Sequence, residues 1–239
     1  MKINNISIGL PCYNEEKNIE SVISKCLNFI SDHIDKNCEL IIIDNNSTDN
    51  TVIIVKNIIK NNKNINIKLI ENKKNIFYSG SANKIILNSK YDTVCIMDSD
   101  DQYDPYDIAK LYFFQKKKNL DLVIGKRTNR QDSILRKIIS KIFLILSSIL
   151  INNNLNDLNC GLRVLKKSKK IKKYINFELN FCNPEIFIKY KKNNLKIGEI
   201  KIKHFDRDYG KSIHNLHNLF KTFLTVIIYL IRLRNLKIK

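Results

Sequence analysis

The chain has 239 residues, enough for one compact domain and a short appendage. Hydrophobic residues make up 44% and charged residues 27%, with six Gly and three Pro, which excludes a disordered or low-complexity chain. The net charge of +19 favours polyanionic partners (nucleic acid, anionic lipid or a phosphorylated substrate), but a solvated, lysine-biased surface explains it equally well.

Ile6–Leu10 reads as a strand ended by Pro11, and Asn14 or a neighbour as the cap of a helix from Glu16 to Phe29. Glu39–Ile43 is an apolar run stopped by Asp44-Asn45-Asn46-Ser47, the pattern of a buried parallel strand and its loop. Asp49–Ile59 reads as a helix, Ile65–Ile70 as a strand and Ser81–Asn88 as a helix. Thr93–Met97 is another buried strand, running into Asp98-Ser99-Asp100-Asp101-Gln102. A helix from Pro105 to Lys116 and a strand from Leu120 to Ile124, closed by Gly125, complete the first half. Strand–helix alternation predicts an α/β, doubly wound, mostly parallel sheet, with ligands beyond the carboxyl ends of its strands.

The second half differs. Ile134–Ile151 is a strongly apolar helix with a basic start at Arg136, Lys137 and Lys141. Lys166–Lys173 is a charge run expected as a loop or exposed helix start. Glu185–Lys192 reads as a helix, Lys196–Lys203 as a strand, and Leu216–Leu233 as an apolar helix ending in Arg232 and Arg234. The expected division is a domain over 1–212 and a membrane-associated amphipathic helix over 213–239. Neither apolar helix reaches the ~20 residues a bilayer span needs, and no secretory leader is expected. The six cysteines form no CxxC pair or zinc spacing, and are expected as reduced, mostly buried thiols of a cytosolic protein.

The sharpest chemical signal is Asp98-x-Asp100-x-Gln102. Two carboxylates and an amide oxygen within five residues suit Mg²⁺ or Mn²⁺. A nucleoside diphosphate is repelled by such carboxylates unless a divalent cation bridges them, and that cation also stabilises the departing diphosphate. An acidic turn capping the next helix is the plainer alternative. His214 and His217, three apart, are read as packed or exposed histidines rather than metal ligands.

The motifs together resemble family-2 glycosyltransferases of the GT-A fold. Ile8-Gly9-Leu10-Pro11-Cys12-Tyr13-Asn14-Glu15 is similar to their opening I-P-x-Y-N-E. Glu39 to Thr51 is similar to E-I-I-V-D-D-G-S-x-D-x-T, and Asp98 to Gln102 to D-x-D-x-Q. Asp157-Leu158-Asn159-Cys160-Gly161-Leu162-Arg163 is similar to D-x-x-C/S-G-F-R/K. Ile197–Ile202, with Arg207, Gly210 and Ser212, is similar to I-x-E-V-P-I … R-x-x-G-x-S. The pattern runs in order from about residue 6 to 212 and is most like the polyprenyl-phosphate sugar synthase branch, which includes dolichol-phosphate mannose synthases.

The resemblance implies roles. Pro11, Tyr13 and Glu15 would line the nucleotide pocket and Asp44 would contact the base or ribose. Asp98, Asp100 and Gln102 would hold metal and diphosphate, with Ser99 beside them. Arg207 and Ser212 would lie in a loop folding over the phosphates, and Arg127 and Arg136 where an acceptor phosphate is bound. Asn45-Asn46 in place of Asp-Gly, Ile76-Phe77-Tyr78 in place of a Gly-rich turn, and Lys201 in place of Pro are departures that bear on donor specificity.

A hydroxyl acceptor needs a general base, whereas a phosphate acceptor is already ionised. The chain contains no Glu-Asp dipeptide, the pair that often carries that base, although Asp157 could act as one. The expectation is an inverting, metal-dependent transfer of a hexose from a GDP-mannose- or UDP-glucose-type donor to a polyprenyl phosphate. It would occur peripherally on the cytoplasmic face of a membrane, with a separate small membrane subunit as a further partner. Transfer to a glycan hydroxyl in lipopolysaccharide or capsule assembly is the alternative enzyme. A nucleic-acid-binding protein is the alternative from charge alone, without a binding motif to support it.

Overall fold

The computed structural model describes residues 2–35, 37–128, 134–170, 182–206 and 219–236, with the backbone alone at 134–136 and 219–223. Strands β1 (Ile6–Cys12), β2 (Cys38–Asp44), β3 (Ile67–Glu71) and β4 (Thr93–Ile96) alternate with helices α1 (Ile19–His33), α2 (Thr51–Asn61) and α3 (Phe77–Asn88). They continue into α4 (Asp107–Lys118), β5 (Leu122–Thr128), α5 (Ile134–Ile151), β6 (Arg163–Lys166), α6 (Cys182–Lys192), β7 (Ile197–Lys203) and α7 (Leu219–Arg234). One seven-stranded sheet has the order β3-β2-β1-β4-β6-β5-β7. All neighbouring pairs are parallel except those of β6, which runs antiparallel to both β4 and β5.

Central strands β1 and β2 are covered on both faces, which is why they read as unbroken apolar runs rather than alternating ones. Ile8, Leu10, Leu40, Ile41, Ile42, Val94, Cys95 and Ile96 are fully buried between the helical layers. Gly9 is needed for packing: a Cβ there would lie 2.1 Å from a methyl of Ile85 on α3.

Several boundaries correct the sequence reading. Pro11 does not end β1. It pairs in register with Ile43, beyond the last β1–β4 partner at Gly9, so no ladder bond to β4 is lost there. Asn14 is not the cap of α1, which begins at Ile19. Asn14 has φ 54° and ties the β1 loop to the β2 loop, accepting from Thr48 N (2.8 Å) and donating its amide to Ser47 Oγ (2.9 Å). Gly125 does not close β5, which continues to Thr128 because β7 supplies partners along its whole length. Strand β6 was not expected. It is four residues long, and Lys166, the first residue of the expected charge run, belongs to it. The division expected at residue 212 lies outside the described residues.

All six cysteines are free thiols, five of them buried, as expected from their spacing. No helix among the described residues is long and apolar enough to cross a membrane.

Candidate active site

The loops following β1, β2 and β4 meet at the carboxyl end of the sheet. Asp44 is the last residue of β2 and is 2% exposed. Its Oδ2 accepts from the amides of Asn46 (3.0 Å) and Ser47 (3.1 Å), which orients the carboxylate, while Oδ1 is buried without a partner. A buried acceptor of that kind is costly unless a ligand fills it. The Asn residues replacing Asp-Gly now have a physical account. Asn46 has φ 65°, a left-handed conformation that Asn tolerates almost as glycine does. Asn45 ties the strand end to the next loop, donating to Asn75 Oδ1 (2.8 Å) and accepting from Ile76 N (2.8 Å).

That loop carries Phe77 at φ 59°, a left-handed bulky residue at the position where relatives are expected to have a Gly-rich turn. Its amide is held by Asn75 Oδ1 (2.8 Å). One residue on, the Tyr78 hydroxyl donates to Asp98 Oδ1 (2.7 Å). Burial, reinforced by the charge of Asp98, pushes the Tyr78 phenol well up, so it remains a proton donor.

Asp98 leaves β4 half-buried, with Gly161 against its other side. A Cβ on Gly161 would lie 1.9 Å from Asp98 Oδ2. Ser99 donates to the Pro11 carbonyl (2.8 Å), which fixes the acidic turn on β1. Asp100 Oδ1 accepts from Gln102 N at 3.4 Å. Asp101, at φ 60°, turns away and pairs with Lys25 (2.7 Å) and Ser21 Oγ (2.8 Å) on α1. The Gln102 amide nitrogen donates to the Phe205 carbonyl (3.1 Å), which leaves its oxygen as the atom to offer a cation.

Among the described residues no three His, Cys, Asp or Glu side chains close a metal cage. Two carboxylates and one amide oxygen on a single turn nevertheless fit a hard divalent cation that takes its other ligands from diphosphate and water, the usual habit of Mg²⁺. Asp98, Asp100 and Gln102 are the residues that would hold it.

Arg127 and Asp157 lie together rather than separately available. The carboxylate accepts from Arg127 Nε (2.7 Å), Nη2 (2.8 Å) and the backbone amide (3.1 Å). Burial works against the Arg127 charge, but the Asp157 bonds outweigh it and hold the guanidinium above its ordinary range. In this arrangement neither group is ready as an acceptor site or a base; each immobilises the other. Glu199 caps the same turn, accepting from the amides of Asn156 (2.8 Å) and Asp157 (2.7 Å).

Pro11, Asp44, Ser99, Asp98 and Asp100 therefore share one end of the sheet. Tyr13 is exposed beside them, and Glu15 braces the loop, its amide on Thr51 Oγ1 (2.9 Å) and its carboxylate on Asn18 (2.6 Å). Arg136 stands at the start of α5 with its side chain outside the described residues, as are Arg207, Gly210, Ser212, His214 and His217. The sequence reading missed Tyr78 and Tyr103 as site residues. Tyr103 Oη accepts from the Gly161 amide (2.9 Å) and so pins the Asp157–Arg163 loop against the acidic turn. Neither tyrosine has a local signal, because each acts on a segment distant in sequence.

A mostly parallel sheet with paired carboxylates beyond its fourth strand is the architecture of a GT-A-type glycosyltransferase. Glucosyl-3-phosphoglycerate synthase from Mycobacterium tuberculosis, solved with Mn²⁺ and UDP-glucose, superposes with a TM-score of 0.69 at 18% identity, covering 98% of this chain and 80% of that one. Mannosyltransferase PcManGT from Pyrobaculum calidifontis, solved with GDP-Man and Mn²⁺, gives 0.66 at 13% identity, covering 97% and 73%.

The family model for glycosyl transferase family 2 matches residues 7–193, and the chain belongs to that family. Its relatives include polyprenyl-phosphate sugar synthases. Dodecaprenyl-phosphate galacturonate synthase of Rhizobium johnstonii is 25% identical over 214 residues, 88% of this chain and 62% of the relative. Dolichyl-phosphate beta-glucosyltransferase of Dictyostelium discoideum is 26% identical over 222 residues, 86% of this chain and 68% of the relative. The chain thus spans less than two thirds of the length of the first of these.

Proposed function

We propose that this glycosyltransferase moves a hexose, with inversion, from a nucleoside-diphosphate sugar to a polyprenyl phosphate at a membrane surface. The observation that carries the donor half is the convergence of Asp44, with its buried unpartnered oxygen, and Asp98-x-Asp100-x-Gln102 on one sheet end. Asp44 Oδ1 suits an N–H of a base or an O–H of a ribose. The acidic turn suits a cation and the diphosphate beyond it. A divalent ion bound there supplies charge neutralisation for the diphosphate as it leaves. The GDP-Man and UDP-glucose complexes of the structural neighbours, both with Mn²⁺, support this donor class and metal.

The acceptor half rests on the relatives' lipid phosphates and on two helices that pack on each other. On α5, Ile138, Ile142, Ile145 and Ile149 are exposed at helical spacing, and on α7 so are Leu224, Ile228 and Ile231. Neither helix contains an acidic residue, and Lys137, Lys141, Arg232 and Arg234 flank the apolar residues. An apolar face with a cationic rim is how a helix lies in a lipid interface. With Arg127 engaged by Asp157, the assignment of the lipid phosphate falls to Arg136, with Arg207 and Ser212 proposed to close over the donor phosphates.

The test is a panel of nucleotide sugars with undecaprenyl phosphate in liposomes and Mn²⁺, read by product mass. An acid-labile, lipid-extractable sugar phosphate is expected. Sugar found only on added glycan hydroxyls would overturn the acceptor assignment and favour the glycan-assembly alternative.

A further inference from the structure

Among the described residues, Arg163 is the largest fully buried side chain, 1% exposed, at the start of the antiparallel strand β6. Among the described residues, one side-chain bond anchors it, from Nη2 to the Cys160 carbonyl, while Nε and Nη1 are buried without a partner. Removing a guanidinium from water and leaving donors unmatched is among the costlier things a core can contain. An apolar side chain of similar size would serve the packing as well or better.

The groups within electrostatic reach of Arg163 are Tyr78, Cys182, Asp98 and Cys160. Tyr78 offers a hydroxyl, and Cys160 and Cys182 offer thiols. Asp98 is the one carboxylate of the four. It is held directly from two directions, by the Tyr78 hydroxyl on Oδ1 and by the bare Cα of Gly161 at Oδ2. These two contacts come from α3 and from the loop before β6, and Arg163 on β6 is bonded to that same loop at the Cys160 carbonyl, next to Gly161.

We infer that Arg163 and Tyr78 are positioning residues for Asp98, a buried positive charge and a neutral donor that hold this carboxylate in its metal-binding orientation. The inference rests on the proposed donor site. A divalent cation with a nucleoside-diphosphate sugar is neutral overall, so to first order Arg163 neither attracts nor repels the complex. What it supplies is orientation. Partners of this kind behind a metal ligand change metal affinity by roughly 10–100-fold when removed.

The test is Mn²⁺ binding to the full chain in the presence of UDP-glucose or GDP-mannose, followed by electron paramagnetic resonance and calorimetry, with thermal melting alongside. Arg163→Met is expected to melt no lower than the wild type, to weaken Mn²⁺–nucleotide binding by at least about tenfold, and to change the bound-Mn²⁺ spectrum. Arg163→Lys, which restores the charge, should recover most of that loss, and Tyr78→Phe should weaken binding by a smaller factor with the fold intact. A methionine variant that binds and resonates like the wild type overturns the assignment, as does one that fails to fold, because Arg163 is then a packing residue. A wild-type protein that binds no Mn²⁺–nucleotide overturns the donor-site reading instead, and this inference with it.

Discussion

Residues 6–128 and residues 134–236 solve opposite solvation problems. The first region ends its strands in Asp, Asn and Ser, whose side chains are knitted across loops by bonds such as Asn45–Asn75 and Ser99–Pro11. The second contributes α5 and α7, which leave isoleucines exposed and carry no carboxylate. One region fixes polar groups in place at the end of the sheet. The other keeps an apolar face unpaired. On the proposed function, the contrast lets one sheet handle a donor and an acceptor of different polarity, with β6 and its loop as the seam where Asp157, Gly161 and Arg163 touch both regions.

The contrast can be broken from either side. The largest effect belongs to Asp100→Asn, which should lower turnover by on the order of a thousandfold in a nucleotide-sugar assay while leaving liposome binding unchanged. Loss of both together would mean that the two regions are not separable. Next is Arg127→Ala at the seam. It strands the Asp157 carboxylate, 7% exposed, and should cost about 3–5 kcal/mol in a denaturant titration. An unchanged midpoint with a raised acceptor requirement would instead return Arg127 to acceptor binding.

In the second region, Ile142→Glu with Ile145→Glu should reduce co-sedimentation with anionic liposomes by on the order of tenfold or more, with melting little changed because both side chains are already exposed. The smallest effect is a pH dependence in the first region. Burial pushes the Glu39 carboxyl up, but hydrogen bonds from Lys68, Ser7 and the Lys90 amide, with the Lys68 charge, outweigh it and hold it below its ordinary value. Its stabilisation is therefore present above the unfolded value of about 4.5 and is lost as pH falls through the lower folded value. Glu39→Gln should approach the wild type in stability as the pH is lowered into that range; a gap that widens toward acid would reverse the assignment.

Much of this was legible in the residues. Buried parallel strands announce themselves as apolar runs, so the sequence places β1, β2 and β4, and the acidic turn after β4 is visible as Asp98-x-Asp100-x-Gln102. Strand β6 was not legible: Arg163–Lys166 has a buried arginine and only four residues, and its pairing to β4 and β5 is a long-range choice. Asn14 looked like a helix cap because Asn caps helices, yet its left-handed backbone serves a loop 34 residues away. The individual roles of Asp157 and Arg127 could be suspected from the motif, but not that each occupies the other. Phe77 is a local conflict between residue and conformation of the kind that collects at functional sites.

The central claim is that the sheet end binds an anionic donor only through a cation. Calorimetry of GDP and UDP with the full chain, in Mn²⁺ and again after chelation, tests it most directly. The account predicts saturable binding that disappears on metal removal and in Asp98→Asn. Nucleotide binding of equal strength with the metal chelated, or in the Asp98 variant, would contradict it.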